Sequence, residues 1–125
     1  MPDKQYNVLL IEDEEMLASM YETKFKNEGY NIRKALDGET GLKLAQEEKP
    51  DIILLDIIMP KLDGFSVLKK IREIEKFSKV PVILLTNLGQ DEDVKKGTAL
   101  GANGYLVKAN MTPTEVVDKV KEYLK

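Results

Sequence analysis

Short apolar runs and longer amphipathic stretches alternate along this chain. Val8–Ile11, Ile52–Leu55 and Val80–Leu85 are continuous apolar runs rich in β-branched residues. Continuity rather than alternation predicts parallel strands buried on both faces. Weaker runs at Asn31–Ala35 and Gly104–Val107 bring the strands to five, these two nearer the sheet edges. Between them the spacing turns helical. Over Glu14–Glu28, Leu17, Met20, Tyr21 and Phe25 recur at three- and four-residue intervals, and Gly29 follows as a stop. Glu39–Glu47 carries Leu42 and Ala45, with Leu44 close to the same stripe, and Phe65–Ile74 carries Val67, Leu68, Ile71 and Ile74. Asp91–Ala99 is mostly polar, and its acidic start suits the positive end of a helix. The last helix opens on Thr112-Pro113-Thr114-Glu115, which predicts a capping box with proline in the first turn, and buries Val116, Val117, Val120 and Leu124.

Five β-α units in succession predict an α/β domain: a doubly wound parallel sheet with helices on both faces and right-handed crossovers. Ligands of such open sheets bind outside the carboxyl ends of the strands. Those ends present Glu12 and Asp13 after the first strand, Asp56 after the third, Thr86 after the fourth and Lys108 after the fifth.

Composition narrows the chemistry. A length of 125 residues suits one domain, and 42% apolar with 33% charged residues argues against disorder. The net charge of -3, without a basic cluster, argues against direct nucleic-acid binding. With no cysteine and no histidine, disulfides, thiolate or imidazole metal sites and Ser-His-Asp triads are excluded. The amino terminus lacks a secretory pattern and no apolar run could span a bilayer, so a cytoplasmic location without membrane contact is expected. Three converging carboxylates repel unless a cation neutralises them. Mg²⁺, which favours one or two carboxylates, waters and phosphate oxygens, fits better than an ion caged wholly by protein. A carboxylate can be a phosphoryl acceptor, with lysine and threonine answering the phosphate oxygens.

Four segments carry a family resemblance: LLIEDEE at 9–15, LLDIIMPKLDG at 54–64, VILLTN at 82–87 and GYLVK at 104–108. At these residues the chain resembles the receiver domain of bacterial two-component response regulators, over its whole length and in family order. The resemblance implies a flavodoxin-like sheet of order 2-1-3-4-5 and a signalling switch rather than an enzyme in the usual sense. Asp56 matches the phosphoacceptor. Asp13, Asp56 and the backbone carbonyl of Ile58 match direct Mg²⁺ ligands, and Glu12 the acid that acts through a water. Thr86 and Lys108 match the groups that contact the phosphoryl group, and Tyr105 the aromatic that moves with Thr86. Met59, Pro60 and Gly64 match the turn after the acceptor. The implied partners are a sensor histidine kinase or histidine phosphotransfer protein, expected on Leu17, Met20 and Tyr21 of the first helix, and a downstream protein target.

Ala109 stands where the family usually has a proline, so a different loop is expected there. Asn87 stands where a small residue is usual, and Ile58 and Leu88 are apolar at positions that govern water's access to the phosphate. The chain reads as a single receiver domain over 1–125 with no output domain. Among competing readings, a haloacid-dehalogenase-type hydrolase would need an acid where Ile58 stands. A flavin binder would need a phosphate loop where Glu12-Asp13-Glu14-Glu15 stands. A degenerate receiver, working without phosphorylation, is the alternative that keeps the same fold.

Overall fold

The apolar runs find cover on both faces of one parallel sheet. The computed structural model describes residues 5–59, 62–86 and 91–124. Its strands are β1 (Asn7–Ile11), β2 (Asn31–Ala35), β3 (Ile52–Asp56), β4 (Val82–Thr86) and β5 (Gly104–Val107). Its helices are α1 (Glu15–Asn27), α2 (Gly38–Glu48), α3 (Gly64–Glu73), α4 (Asp91–Ala99) and α5 (Pro113–Tyr123). Short 3-10 turns follow α3 (Glu75–Phe77) and β5 (Lys108–Asn110). All strand pairs are parallel, in the order β2-β1-β3-β4-β5, so the two weaker runs do form the edges.

Successive residues of one strand serve opposite cores. Val8, Leu10, Leu54 and Leu85 pack with Tyr21 and Phe25 of α1 and Val116, Val117 and Val120 of α5. Leu9, Ile11, Leu55 and Leu84 pack with Ala45 of α2 and Val67, Leu68 and Ile71 of α3. Side chains fix where several helices start. Asp37 accepts from the amide of Thr40 at 2.7 Å and Asp63 from that of Ser66 at 2.9 Å. The capping box of α5 forms as expected: Thr112 Oγ1 accepts from the amide of Glu115, whose carboxylate accepts from the amide of Thr112. Gly29, at φ +93°, turns the chain out of α1.

Two expectations need correction. The core-facing stripe of α1 is Ala18, Tyr21 and Phe25, with Leu17 partly buried; Met20 is 49% exposed. At about 100° per residue, Met20 falls roughly a third of a turn from the centre of that stripe. β4 starts at Val82 rather than Val80, because Pro81 has no N–H to give to a ladder. Beyond β5, Ala109 lies in a 3-10 turn, and every peptide bond among the described residues is trans.

Candidate functional site

The carboxyl ends of β1, β3 and β4 and the turn after β5 bring Glu12, Asp13, Asp56, Thr86 and Lys108 together. Among the described residues, Glu12, Asp56, Thr86 and Lys108 are the buried polar side chains of an otherwise apolar core. Lys108 Nζ donates to Glu12 Oε1 at 2.6 Å and to Asp56 Oδ2 at 3.2 Å. The other oxygen of Glu12 accepts from the amide of Glu14 at 3.1 Å, and Asp56 Oδ1 accepts from the amide of Ile58 at 3.3 Å. Asp13, half-buried, completes a group of three carboxylates whose oxygens lie within 4.8 Å of one another. A cleft of about 190 Å³ opens over them, lined by Asp13, Glu14, Asp56, Ile58, Thr86 and Lys108.

Burial dominates the electrostatics. It pushes Glu12 up to about 7 against the opposing hydrogen bond from Lys108. It also raises Asp56, although a hydrogen bond with Glu12 and the charge of Lys108 pull the other way. The interaction between the two carboxyls adds to the rise at Glu12 and opposes it at Asp56. Burial works against the Lys108 ammonium too, yet its bond to Glu12 and the charge of Asp56 outweigh this and its pKa rises. A lone buried lysine would lose its charge; this one keeps it because its partners are carboxylates.

Tyr105 is half-buried at the edge of the sheet, and its side chain hydrogen-bonds Thr86. Burial, and next the charge of Asp93 on α4, raise its phenol. Gly64 starts α3 close beneath Asp56. Its amide donates to the carbonyl of Ile57 at 2.7 Å, and a Cβ there would collide with the backbone of Asp56 and Ile57. Met59 is buried, while Ile58 is 57% exposed at the mouth of the cleft. Pro60, Asn87 and Leu88 lie outside the described residues.

The surface expected on α1 needs a correction of its own. Tyr21 is buried and senses the charges of Lys108, Glu12 and Asp56 from within the core, so it is not available to a partner. Met20 is exposed and Leu17 half-buried. Met16, 82% exposed and one helical turn before Met20, was not expected on this surface; its i, i+4 relation to Met20 is the signal that could have found it. Met16 and Met20 line a groove of about 610 Å³ with Ser19, Thr23, Pro113 and Thr114. A hollow of about 610 Å³ also lies at the opposite ends of the strands, lined by Asn7, Asn31, Lys26 and Arg33 among others. Its charges are surface groups, with Arg33 paired to Glu48, and carry none of the buried convergence seen around Asp56.

Among the described residues no helix is long and apolar enough to cross a membrane. Residues 8–121 match the family model of the response regulator receiver domain. The chain is 37% identical over 118 residues to the alkaline phosphatase synthesis transcriptional regulatory protein PhoP of Bacillus subtilis, covering 94% of this chain and 48% of that protein. It spans about half the length of the curated relatives it matches, from 45% to 56% for three of them. Among solved structures, chemotaxis protein CheY4 of Vibrio cholerae superposes with a TM-score of 0.91 at 28% identity, covering 95% of this chain and 98% of that one. The receiver domain of Francisella response regulator 1452 does so at 0.85 and 32% identity, covering 94% and 95%.

Proposed function

The chain belongs to the response regulator receiver family, and from that premise we propose that it is a phosphorylation-controlled signalling switch whose acceptor is Asp56. The observation that carries the reading is a buried carboxylate at the end of β3, on the floor of a cleft, with an ammonium 3.2 Å away. A carboxylate oxygen of Asp56 attacks phosphorus, a P–O bond forms, and the P–N bond of the donor phosphohistidine breaks as the imidazole leaves with the electron pair. The chemistry asks for positioning and charge neutralisation, and no histidine of this chain is required. Lys108 answers the phosphoryl oxygens with charge, and Thr86 with a hydroxyl. Thr86 turns toward the phosphoryl group and Tyr105, bonded to it, follows.

The donor set suits Mg²⁺: three crowded carboxylates, two of them pushed up by burial, with one lysine to balance them. Asp13, Asp56 and the carbonyl of Ile58 would hold the ion, with Glu12 reaching it through water. When bound, Mg²⁺ neutralises charge on these carboxylates and on the phosphoryl oxygens. A sensor histidine kinase or histidine phosphotransfer protein docks along α1 and the start of α5, where Met16, Met20 and Pro113 offer an apolar groove. A downstream protein reads the change that follows.

The test is mass measurement after incubation with acetyl phosphate and Mg²⁺. One added phosphoryl group, absent without Mg²⁺ and absent in Asp56→Asn, is the expected result. Equal labelling of Asp56→Asn would move the nucleophile elsewhere and end this reading.

A further inference from the structure

We infer that Glu12 is a positioning residue for phosphoryl transfer, acting through Lys108 by holding its ammonium over Asp56. The inference rests on Asp56 being the phosphoacceptor, and it gives Glu12 a larger task than contact with a metal through water.

Glu12 has no exposed surface, and both its oxygens are engaged. Oε2 is tied to the amide of Glu14, which anchors the carboxylate at the start of α1. Oε1 takes the Lys108 ammonium at 2.6 Å, against the 3.2 Å that separates the same ammonium from Asp56. The tighter hold is therefore on the residue that does not react. A lysine reaches its target on a flexible four-carbon stem with many rotamers, so one rotamer must be selected before its charge can serve a defined point. The buried Glu12–Lys108 pair selects it. An ammonium has three N–H groups. One goes to Glu12 and one to Asp56, which leaves a third for an oxygen arriving in the cleft that Lys108 lines. Transfer changes what Asp56 offers to Lys108, whereas Glu12 stays as it was. The ammonium can thus turn from the carboxylate to the phosphoryl oxygens while Glu12 holds it in the cleft.

A double-mutant cycle on the full chain tests this. The reaction is labelling by acetyl phosphate, in which Asp56 forms a P–O bond to phosphorus as the bond to acetate breaks and acetate leaves. Initial rates are measured across a Mg²⁺ titration for wild type, Glu12→Gln, Lys108→Met and the double variant. Glu12→Gln should lower the rate at saturating Mg²⁺ by about tenfold and leave the Mg²⁺ concentration at half-maximal rate within about twofold. Adding Glu12→Gln to Lys108→Met should cost nothing further, because the residue through which Glu12 acts is already gone. Losses that multiply, or a Glu12→Gln defect that extra Mg²⁺ repairs, would overturn the inference while leaving Asp56 as acceptor. No Mg²⁺-dependent labelling of wild type would remove the acceptor reading and this one with it. If Glu12→Gln does not fold, Glu12→Asp takes its place in the cycle under the same two criteria, since it keeps the charge but withdraws it by one methylene.

Discussion

The guanidinium of Arg72, at the end of α3, closes on the carbonyl oxygen of Gly101 with two nitrogens, at 3.0 and 2.8 Å. The same side chain donates to the carbonyl of Phe77 and to Asn103 Oδ1, which also accepts from the amide of Val82. One residue thus gathers the end of α3, the start of β4 and the turn before β5.

Replacing Arg72 by Met leaves several of these acceptors without their donor, and stability should fall by about 2–4 kcal/mol. Arg72→Lys should recover little, since a point charge cannot hold a carbonyl with two parallel bonds. Gly101, at φ +101°, adds a second constraint: a Cβ there would stand 2.9 Å from Arg72 Nε. Urea unfolding of both variants is the check, and an Arg72→Lys midpoint equal to wild type would deny the fork geometry its role.

Metal-free protein should lose stability as pH rises through neutrality. The Glu12 carboxyl titrates near 4.5 in the unfolded chain and at about 7 in the folded one. The folded state therefore holds the proton more tightly, a stabilisation complete below pH 4.5 and lost as pH climbs through about 7. Asp56, also raised, acts in the same direction. Melting temperature against pH in chelator should fall across this window, and Glu12→Gln should flatten the slope. Millimolar Mg²⁺ should raise the wild-type melting temperature at pH 7.5 and raise that of Asp13→Asn much less. A wild-type curve unmoved by Mg²⁺ would remove the metal site.

Phosphorylated Asp56 should decay slowly. Hydrolysis needs a water aligned with phosphorus, and Ile58 stands at the mouth of the cleft with nothing to orient one. Ile58→Asn should shorten the lifetime by about threefold to tenfold without preventing labelling. The measurement is loss of the phosphorylated mass after donor removal at fixed Mg²⁺. Equal lifetimes would show that this side chain does not govern the water.

Substitution of Met16 and Met20 should separate two routes of phosphorylation. Both side chains are exposed, so the double change to Asp should cost no more than about 0.5 kcal/mol of stability. Labelling by acetyl phosphate should persist, because the groove lies outside the cleft over Asp56. Transfer from a phosphohistidine protein that labels wild type should fall at least about tenfold, as two apolar contacts become charged. Undiminished transfer would place docking on another face.

Most of the fold is legible in the sequence because a fully buried parallel strand has no polar alternation to confuse it. The same topology makes Glu12, Asp13, Asp56, Thr86 and Lys108 legible as a group, since it sends every strand end to one side. The misreadings have physical reasons. Ala18 is a small residue that contributes little to an apolar pattern, so Met20 took its place in the stripe of α1. Tyr21 and Met20 are adjacent in sequence, and spacing alone could not tell which one leaves the core. Lysine is usually solvated, so the burial of Lys108 follows only from carboxylates that arrive from distant strands. Arg72 gives no signal at all, because its partners are mostly backbone carbonyls whose positions exist only after folding.

The unbroken apolar character of β1, β3 and β4 leaves one matter to other residues. A strand with one wet face is punished for slipping by a single position, since its greasy side would turn outward. Here a slip of β3 would exchange Ile53 for Leu54, each fully buried and each acceptable in either core. Alignment must be enforced at the strand ends. Asn7 is held by Asp51 at 2.8 Å and by Asn31 at 3.1 Å, and Val82 by Asn103 at 3.0 Å. At the other end the fastening is the charged trio of Glu12, Asp56 and Lys108. The groups proposed to carry the chemistry are thus also the notch that stops β1 and β3 from sliding past one another.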